Sequence, residues 1–115
     1  SKLGPIKTQS RIDVPRRSET KAGRARLGGV AWAPTKGIAK VEVQIDDDPW
    51  QPCTIGTATS DETWVQWTLP WNATKGEHTL RVRATDKTGF TQTEQRRSPA
   101  PNGAEGQHAV DVTVV

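Results

Sequence analysis

The nine residues Ile38-Ala39-Lys40-Val41-Glu42-Val43-Gln44-Ile45-Asp46 decide the fold class. Val41, Val43 and Ile45 fall on one parity, and Glu42 and Gln44 on the other. Side chains of a strand alternate between its two faces, so this segment reads as a strand with one buried face. Branched residues crowd a helix backbone but fit a pleated sheet, which favours the same reading. Asp46-Asp47-Asp48-Pro49 closes the strand as a turn, since Asp bonds its own backbone and Pro fixes φ.

The same alternation recurs outward in both directions. Upstream, Ile6, Thr8, Ser10, Ile12 and Val14 share one face, and Lys7, Gln9, Arg11 and Asp13 the other. Pro15 stops that strand, and a polar, basic loop is expected from Arg16 to Ala22. A second strand is expected over Arg24–Ala33. Its inward parity runs Ala25, Leu27, then Val30 and Trp32, with a bulge at Gly28-Gly29 where the parity shifts. Pro34–Gly37 is a turn. Downstream, Trp50–Ile55 reads as a short returning strand and Gly56–Asp61 as a loop. Glu62–Trp71 places Val65, Trp67, Leu69 and Trp71 inward, and Trp64, Gln66 and Thr68 outward. Asn72–Gly76 turns the chain. His78–Asp86 places Leu80, Val82 and Ala84 inward, and Arg81, Arg83 and Thr85 outward. A short strand around Phe90–Thr93, a long loop over Gln95–Gly106 and a last strand over Gln107–Val115 complete the chain. About seven short strands at this turn spacing predict an all-β, immunoglobulin-like sandwich.

The bulk numbers agree. A chain of 115 residues fits one domain, residues 1–115. Five Trp carry the aromatic mass, with no Tyr and one Phe. The single cysteine, Cys53, excludes an internal disulfide and a multi-cysteine metal site, and reads as a small buried hydrophobe. No stretch approaches the roughly 20 apolar residues of a membrane span, so no membrane contact by this domain is expected. The chain does not begin with Met and reads as a fragment of a longer protein.

Catalytic constellations are not found. His78 and His108, the two imidazoles, sit on strand positions and read as structural. Nothing resembles a nucleophile elbow, a P-loop or a dinucleotide fingerprint. Three consecutive Asp before a Pro suit a turn better than calcium, whose loops space their ligands at alternate positions. Asn72-Ala73-Thr74 matches a glycosylation sequon. This domain is therefore expected to be no enzyme, with no catalytic, cofactor or metal residues.

Binding has more material. Residues 1–40 carry ten Lys/Arg against two acids, and residues 41–115 six against eleven. Solvated strand faces explain this better than an acidic partner or nucleic acid. Single-strand binders interleave exposed aromatics with charge, and only Trp64 is plainly outward, so no nucleic-acid partner is expected. An outward Trp has two readings: partial cover by a neighbour, or a protein contact, where Trp and Arg are over-represented. The candidate interface residues are Trp64, Arg11, Arg24, Arg26, Arg81 and Arg83.

Several stretches, in order, carry a family resemblance. They are Gly29-Val30-Ala31-Trp32, Gly37–Asp46, Trp50-Gln51-Pro52, Trp64-Val65-Gln66-Trp67, Trp71-Asn72-Ala73 and Gly76–Asp86. Pro101-Asn102-Gly103-Ala104, Gly106-Gln107-His108 and Val110–Val114 close the series. Together, over roughly residues 5 to 115, they resemble the C-terminal dimerisation domain of molybdenum-cofactor oxidoreductases of the sulfite oxidase family. The resemblance implies an early-set immunoglobulin-like sandwich. It implies a parent enzyme whose preceding domain holds molybdopterin and does the redox chemistry, so that no cofactor is expected in this fragment. The implied partners are a second copy, as a homodimer, and the parent's own catalytic domain. The family's molybdenum-ligand cysteine belongs to that other domain and is not Cys53. The loop Ser98–Gly106 lacks the Trp-containing stretch of sulfite oxidases proper. It is similar to loops of bacterial relatives of unassigned substrate, some of them membrane-anchored, so extracytoplasmic placement or anchoring through upstream segments fits the resemblance. The alternative reading is a fibronectin-like or carbohydrate-binding adhesion module, with Trp64 and Trp71 as a sugar platform.

Overall fold

A computed structural model describes residues 8–15, 19–57, 64–92 and 107–115. Among these residues lie nine strands and no helix: β1 (Gln9–Val14), β2 (Glu19–Thr20), β3 (Gly23–Trp32), β4 (Ile38–Ile45), β5 (Gln51–Pro52), β6 (Thr54–Thr57), β7 (Trp64–Ala73), β8 (Gly76–Asp86) and β9 (His108–Val114). They form two sheets, of order β1-β3-β7-β6 and β2-β9-β8-β4-β5. Every pairing is antiparallel except the short parallel contact of β2 with β9. The inner faces of both sheets meet in one core, as a sandwich requires. The all-β sandwich expected from the sequence is the observed architecture.

The alternating rows pack as their parity predicts. Val41, Val43 and Ile45 of β4, Leu80, Val82 and Ala84 of β8, and Val112 and Val114 of β9 are buried from one side. Val65, Trp67, Leu69 and Trp71 of β7 are buried from the other. The His78–Asp86 strand begins two residues early, because Gly76 adopts a φ of +125° that a side chain disfavours and so lets β8 start straight out of the turn.

The bulge lies elsewhere than expected. β3 pairs with β7 without interruption from Gly23 to Trp32. The shift is on β1, where Ile12 faces Gly29 and Val14 faces Gly28. Parity on β3 therefore never changes: Leu27 and Ala31 are buried, while Val30 and Trp32 face outward. The physical reason is volume. Gly29 stands opposite Trp67, and a Cβ at Gly29 would run into the carbonyl oxygen of Arg11. Without one, the Trp67 indole reaches across and donates Nε1–H to that oxygen at 3.2 Å. The same bulge turns Val14 outward, against its expected inward place, to 43% exposure.

Three smaller expectations also change. The Arg16–Ala22 loop contains β2. Trp50–Ile55 is two strands in different sheets, joined at Cys53, whose N–H donates to Val41 O at 2.9 Å. The strand around Phe90–Thr93 reduces, among the described residues, to a bridge between Thr85 and Thr91. Its neighbour Gln92 is buried, accepts from Ser10 Oγ at 2.6 Å and Ala84 N at 2.9 Å, and so ties β1 to β8. Ile6, Glu62, Asp61, Thr93 and the Gln95–Gly106 loop fall outside the described residues.

Candidate interaction surface

The outer face of the four-stranded sheet follows from its register. In antiparallel pairs, residues directly opposite share a face. Gln9, Trp32 and Trp64 make one outward row, and Arg11, Val30, Gln66 and Gly56 the next. Val14, Gly28, Thr68 and Thr54 form the middle. Arg26 with Pro70, then Arg24 with Asn72, make the far end. Trp64 is thus outward, as read from the sequence, but not isolated. Trp32, Val30 and Pro34 line a shallow apolar depression with it. Each of the four is half-buried, so Trp64 is partly shielded, and the pair still leaves apolar surface in water.

The arginines divide. Arg11, Arg24 and Arg26 stand on this face and are exposed. Arg11 is engaged: its Nε donates to Asp13 Oδ1 at 2.7 Å, and its guanidinium carbon lies 6.0 Å from the Trp32 ring centroid. The bond to Asp13, then its charge, push the Arg11 guanidinium above its ordinary range. Arg24 and Arg26 border an open concavity with Ala25, Pro70, Trp71 and Asn72. Arg81 and Arg83 belong to β8, in the other sheet, so the six candidate interface residues do not form one surface. Arg83 is consumed internally, donating from Nε to Glu42 Oε1 at 2.8 Å and lying 4.1 Å over the Trp50 ring.

Trp71 cannot share a platform with Trp64. Its side chain is buried, meeting the His78 ring edge-on at 5.5 Å between centroids. The platform partner of Trp64 is Trp32, a residue sequence reasoning placed in the core. The signal was present: β7 brings Trp67 and Trp71 inward, and β3 answers with Gly29 and Ala25 directly opposite. Small against large on the inner face leaves the large β3 residues for the outer one.

The groups capable of chemistry are tied into the fold. His78 Nδ1 lies 2.7 Å from Asp46 Oδ2 and Nε2 2.7 Å from Thr74 O. Asp46, at φ 56°, also accepts Thr79 N at 2.9 Å, so the Asp run serves a turn. The bond to Asp46, then that to Thr74, raise the His78 pKa above its ordinary value. His108 Nδ1 accepts Ile12 N at 2.9 Å, joining β9 to β1. Burial, then the charge of Arg11, lower its pKa. Cys53 is half-buried, and burial together with Glu42 pushes its thiol up to about 12. Among the described residues no three His, Cys, Asp or Glu side chains cluster as metal ligands would.

No protein-family model matches the sequence, and neither does any curated protein. Solved structures do match in shape. The sulfane dehydrogenase SoxCD from Paracoccus pantotrophus is similar at 21% identity and a TM-score of 0.77, over 94% of this chain and 30% of that one. Fibronectin(III)-like modules of Clostridium thermocellum CbhA are similar at 19% identity and a TM-score of 0.61, over 95% of this chain and 47% of that one. The endo-beta-1,4-mannanase from Thermotoga petrophila is similar at 11% identity and a TM-score of 0.63, over 94% of this chain and 20% of that one. At these identities the likeness shows the fold alone.

Proposed function

We propose that this chain is a non-catalytic assembly domain of a bacterial molybdopterin-dependent oxidoreductase, the C-terminal dimerisation domain of the sulfite oxidase type. The carrying observation is the outer face of the four-stranded sheet, where Trp32 and Trp64 stand side by side in solvent reach on a rigid sheet. A preordered surface of that kind loses little entropy on association. The likeness to a dehydrogenase supports the reading, since this fold occupies 30% of that chain, the share of one domain in a larger redox enzyme. The family's molybdenum-ligand cysteine belongs to the other domain and is not Cys53. The cofactor and the chemistry belong to a domain upstream, and the partners are a second copy and that domain. Sedimentation of the full-length protein beside this chain tests the reading. A full-length dimer containing molybdenum is expected, and a monomeric or molybdenum-free full-length protein overturns it.

The paired indoles also favour a second reading, a carbohydrate-binding module, given the fibronectin-like and mannanase structures of similar shape. Glycan titration should then quench Trp fluorescence, and Trp64→Ala should abolish the response. A flat titration removes this reading.

A further inference from the structure

We infer that two copies of this chain pair through the outer face of the four-stranded sheet with their strands running in opposite directions. The Trp32–Trp64 end of one copy then covers the Arg24–Arg26 end of the other. The inference rests on the dimerisation reading above and adds the face and its orientation.

The face has two unlike ends. Trp32, Trp64, Val30 and Pro34 make one end apolar. Arg24 and Arg26 make the other cationic. Neither has a hydrogen-bond or ion-pair partner among the described residues, in contrast to Arg11 with Asp13 and Arg83 with Glu42. From Trp32 to Arg26 is six residues along one strand, roughly 20 Å at about 3.3 Å per residue. Between the ends the surface is low: Gly28 and Thr68 lie opposite one another, with Val14 beside them, turned outward by the β1 bulge.

A two-fold pair presents the same patch on both copies. Stacked face to face, the sheets have two such arrangements. With the axis along the strands, like ends meet and four guanidiniums crowd together with no carboxylate among the described residues of that end. The acid on β1 cannot relieve them, because Asp13 already binds Arg11. With the axis across the strands, the arginine end of each copy meets the partner's apolar end, with Arg24 over Trp32, and a guanidinium over a Trp face is attractive, more so once desolvated. The register closes: Arg24 falls opposite Trp32 of the second copy, Arg26 opposite Val30, Pro70 opposite Gln66, and Asn72 opposite Trp64. Thr68 and Gly28 lie on the axis. The Trp32 ring already accepts a guanidinium, that of Arg11. The area is that of a small interface. Strands of six, ten, ten and four residues, about 4.8 Å apart and rising about 3.3 Å per residue, give roughly 480 Å² per copy, about 950 Å² in total, close to the roughly 1,000 Å² expected of a specific interface.

The test uses the full-length protein carrying Cys53→Ser, with a single added cysteine and a short bis-maleimide. Cross-linked peptides are read by mass spectrometry. Thr68→Cys is expected to join copy to copy, since stacked sheets lie about 10 Å apart. Gln66→Cys is expected to stay unlinked, displaced from its symmetry mate by four residues along the strand. The double variant Arg24→Glu/Arg26→Glu, both at exposed positions, should weaken the dimer at least tenfold in sedimentation equilibrium. Equal linking at 66 and 68 overturns the orientation. A dimer unaffected by the arginine variant and unlinked at 68 overturns the face while leaving dimerisation standing. Position 68 linking to another part of its own chain gives the face to the upstream domain and also overturns the pairing. A monomeric full-length protein overturns the dimerisation reading itself.

Discussion

Replacing Asp86 by Asn should cost about 2 kcal/mol at neutral pH and almost nothing near pH 2. Asp86 ends β8 with its side chain buried. Its Oδ1 accepts Thr88 Oγ1 at 2.6 Å, Thr88 N at 2.9 Å and Phe90 N at 3.2 Å. Its Oδ2 accepts Thr8 Oγ1 at 2.7 Å, from the chain just before β1. Burial alone would raise the carboxyl's pKa. The bonds from Thr88, Thr8 and Phe90 outweigh it and hold the pKa at about 2, against an ordinary 3.8. That gap is worth about 2.4 kcal/mol at about 1.4 kcal/mol per pH unit. The sign follows from proton linkage. The folded pKa lies below the unfolded one, so the stabilisation is complete above the ordinary value and is lost as pH falls from about 4 towards 2. Asn keeps an acceptor but never ionises. The difference in unfolding free energy between the two proteins should therefore be largest at pH 6 and shrink through that window. Urea unfolding followed by Trp fluorescence at pH 6, 4 and 2.5 measures it, and the difference cancels the contributions of other acids. Two curves that stay parallel from pH 6 to 2.5, or equal stability at pH 6, would refute the reasoning.

Gly29→Ala should destabilise by about 2–3 kcal/mol, an overpacking cost, because the new Cβ meets the Arg11 backbone rather than a movable side chain. The broken Trp67–Arg11 bond should red-shift the emission, and an unchanged melting curve would contradict this. The two histidines should act in opposite directions. His108, with a lowered pKa, contributes stability that is complete above 6.5 and lost as pH falls below it. His78, with a raised pKa, contributes stability that is complete below 6.5 and lost as pH rises above it. His108→Gln should flatten the acid side of the stability profile and His78→Gln the alkaline side; unaltered profiles would show that neither bond is maintained in solution. Cys53, its thiol pushed to about 12, should react with a thiol reagent at pH 8 on the order of a thousandfold more slowly in native than in denatured protein, since only thiolate reacts. Comparable rates would refute it.

How much of this was legible in the sequence depends on how local each cause is. Val41-Glu42-Val43-Gln44-Ile45 declares its buried face by period alone, and β4 obeys it. The same holds for β7 and β9, and for β8 as far as Ala84, after which Thr85, expected outward, is buried too. On β3 the expected bulge at Gly28-Gly29 and the inward Val30 and Trp32 fail, since the strand pairs without a shift and buries Ala31 instead. The deciding fact is nonlocal: Trp67 and Trp71 already fill the inner space, so the strand across from them must be small there. The parallel contact of β2 with β9 and the change of sheets at Cys53 are nonlocal too. Two-residue strands such as Glu19–Thr20 have no period to read. For the candidate surface residues, outward placement was legible and grouping was not. Trp64, Arg11, Arg24 and Arg26 share a face, while Arg81 and Arg83 are on the opposite sheet, a division set by strand order rather than by anything within either strand.

That division is what gives the surface its meaning. On the five-stranded sheet, Glu42, Arg83 and Trp50 form a closed set in which the cation has both its carboxylate and its aromatic ring. On the four-stranded sheet Arg11 likewise has Asp13 and the Trp32 ring, but Arg24 and Arg26 are separated from the indoles along the strands. The indoles gather at one end and Arg24 and Arg26 at the other, too far apart to meet within one chain. A cation and an aromatic ring that satisfy each other in one molecule leave that sheet little to offer a partner. Where strand geometry holds them apart, the second copy proposed above, turned end for end, would supply both at once. The bulge on β1 serves the same end by leaving Val14, rather than a charge, beside the middle of that face.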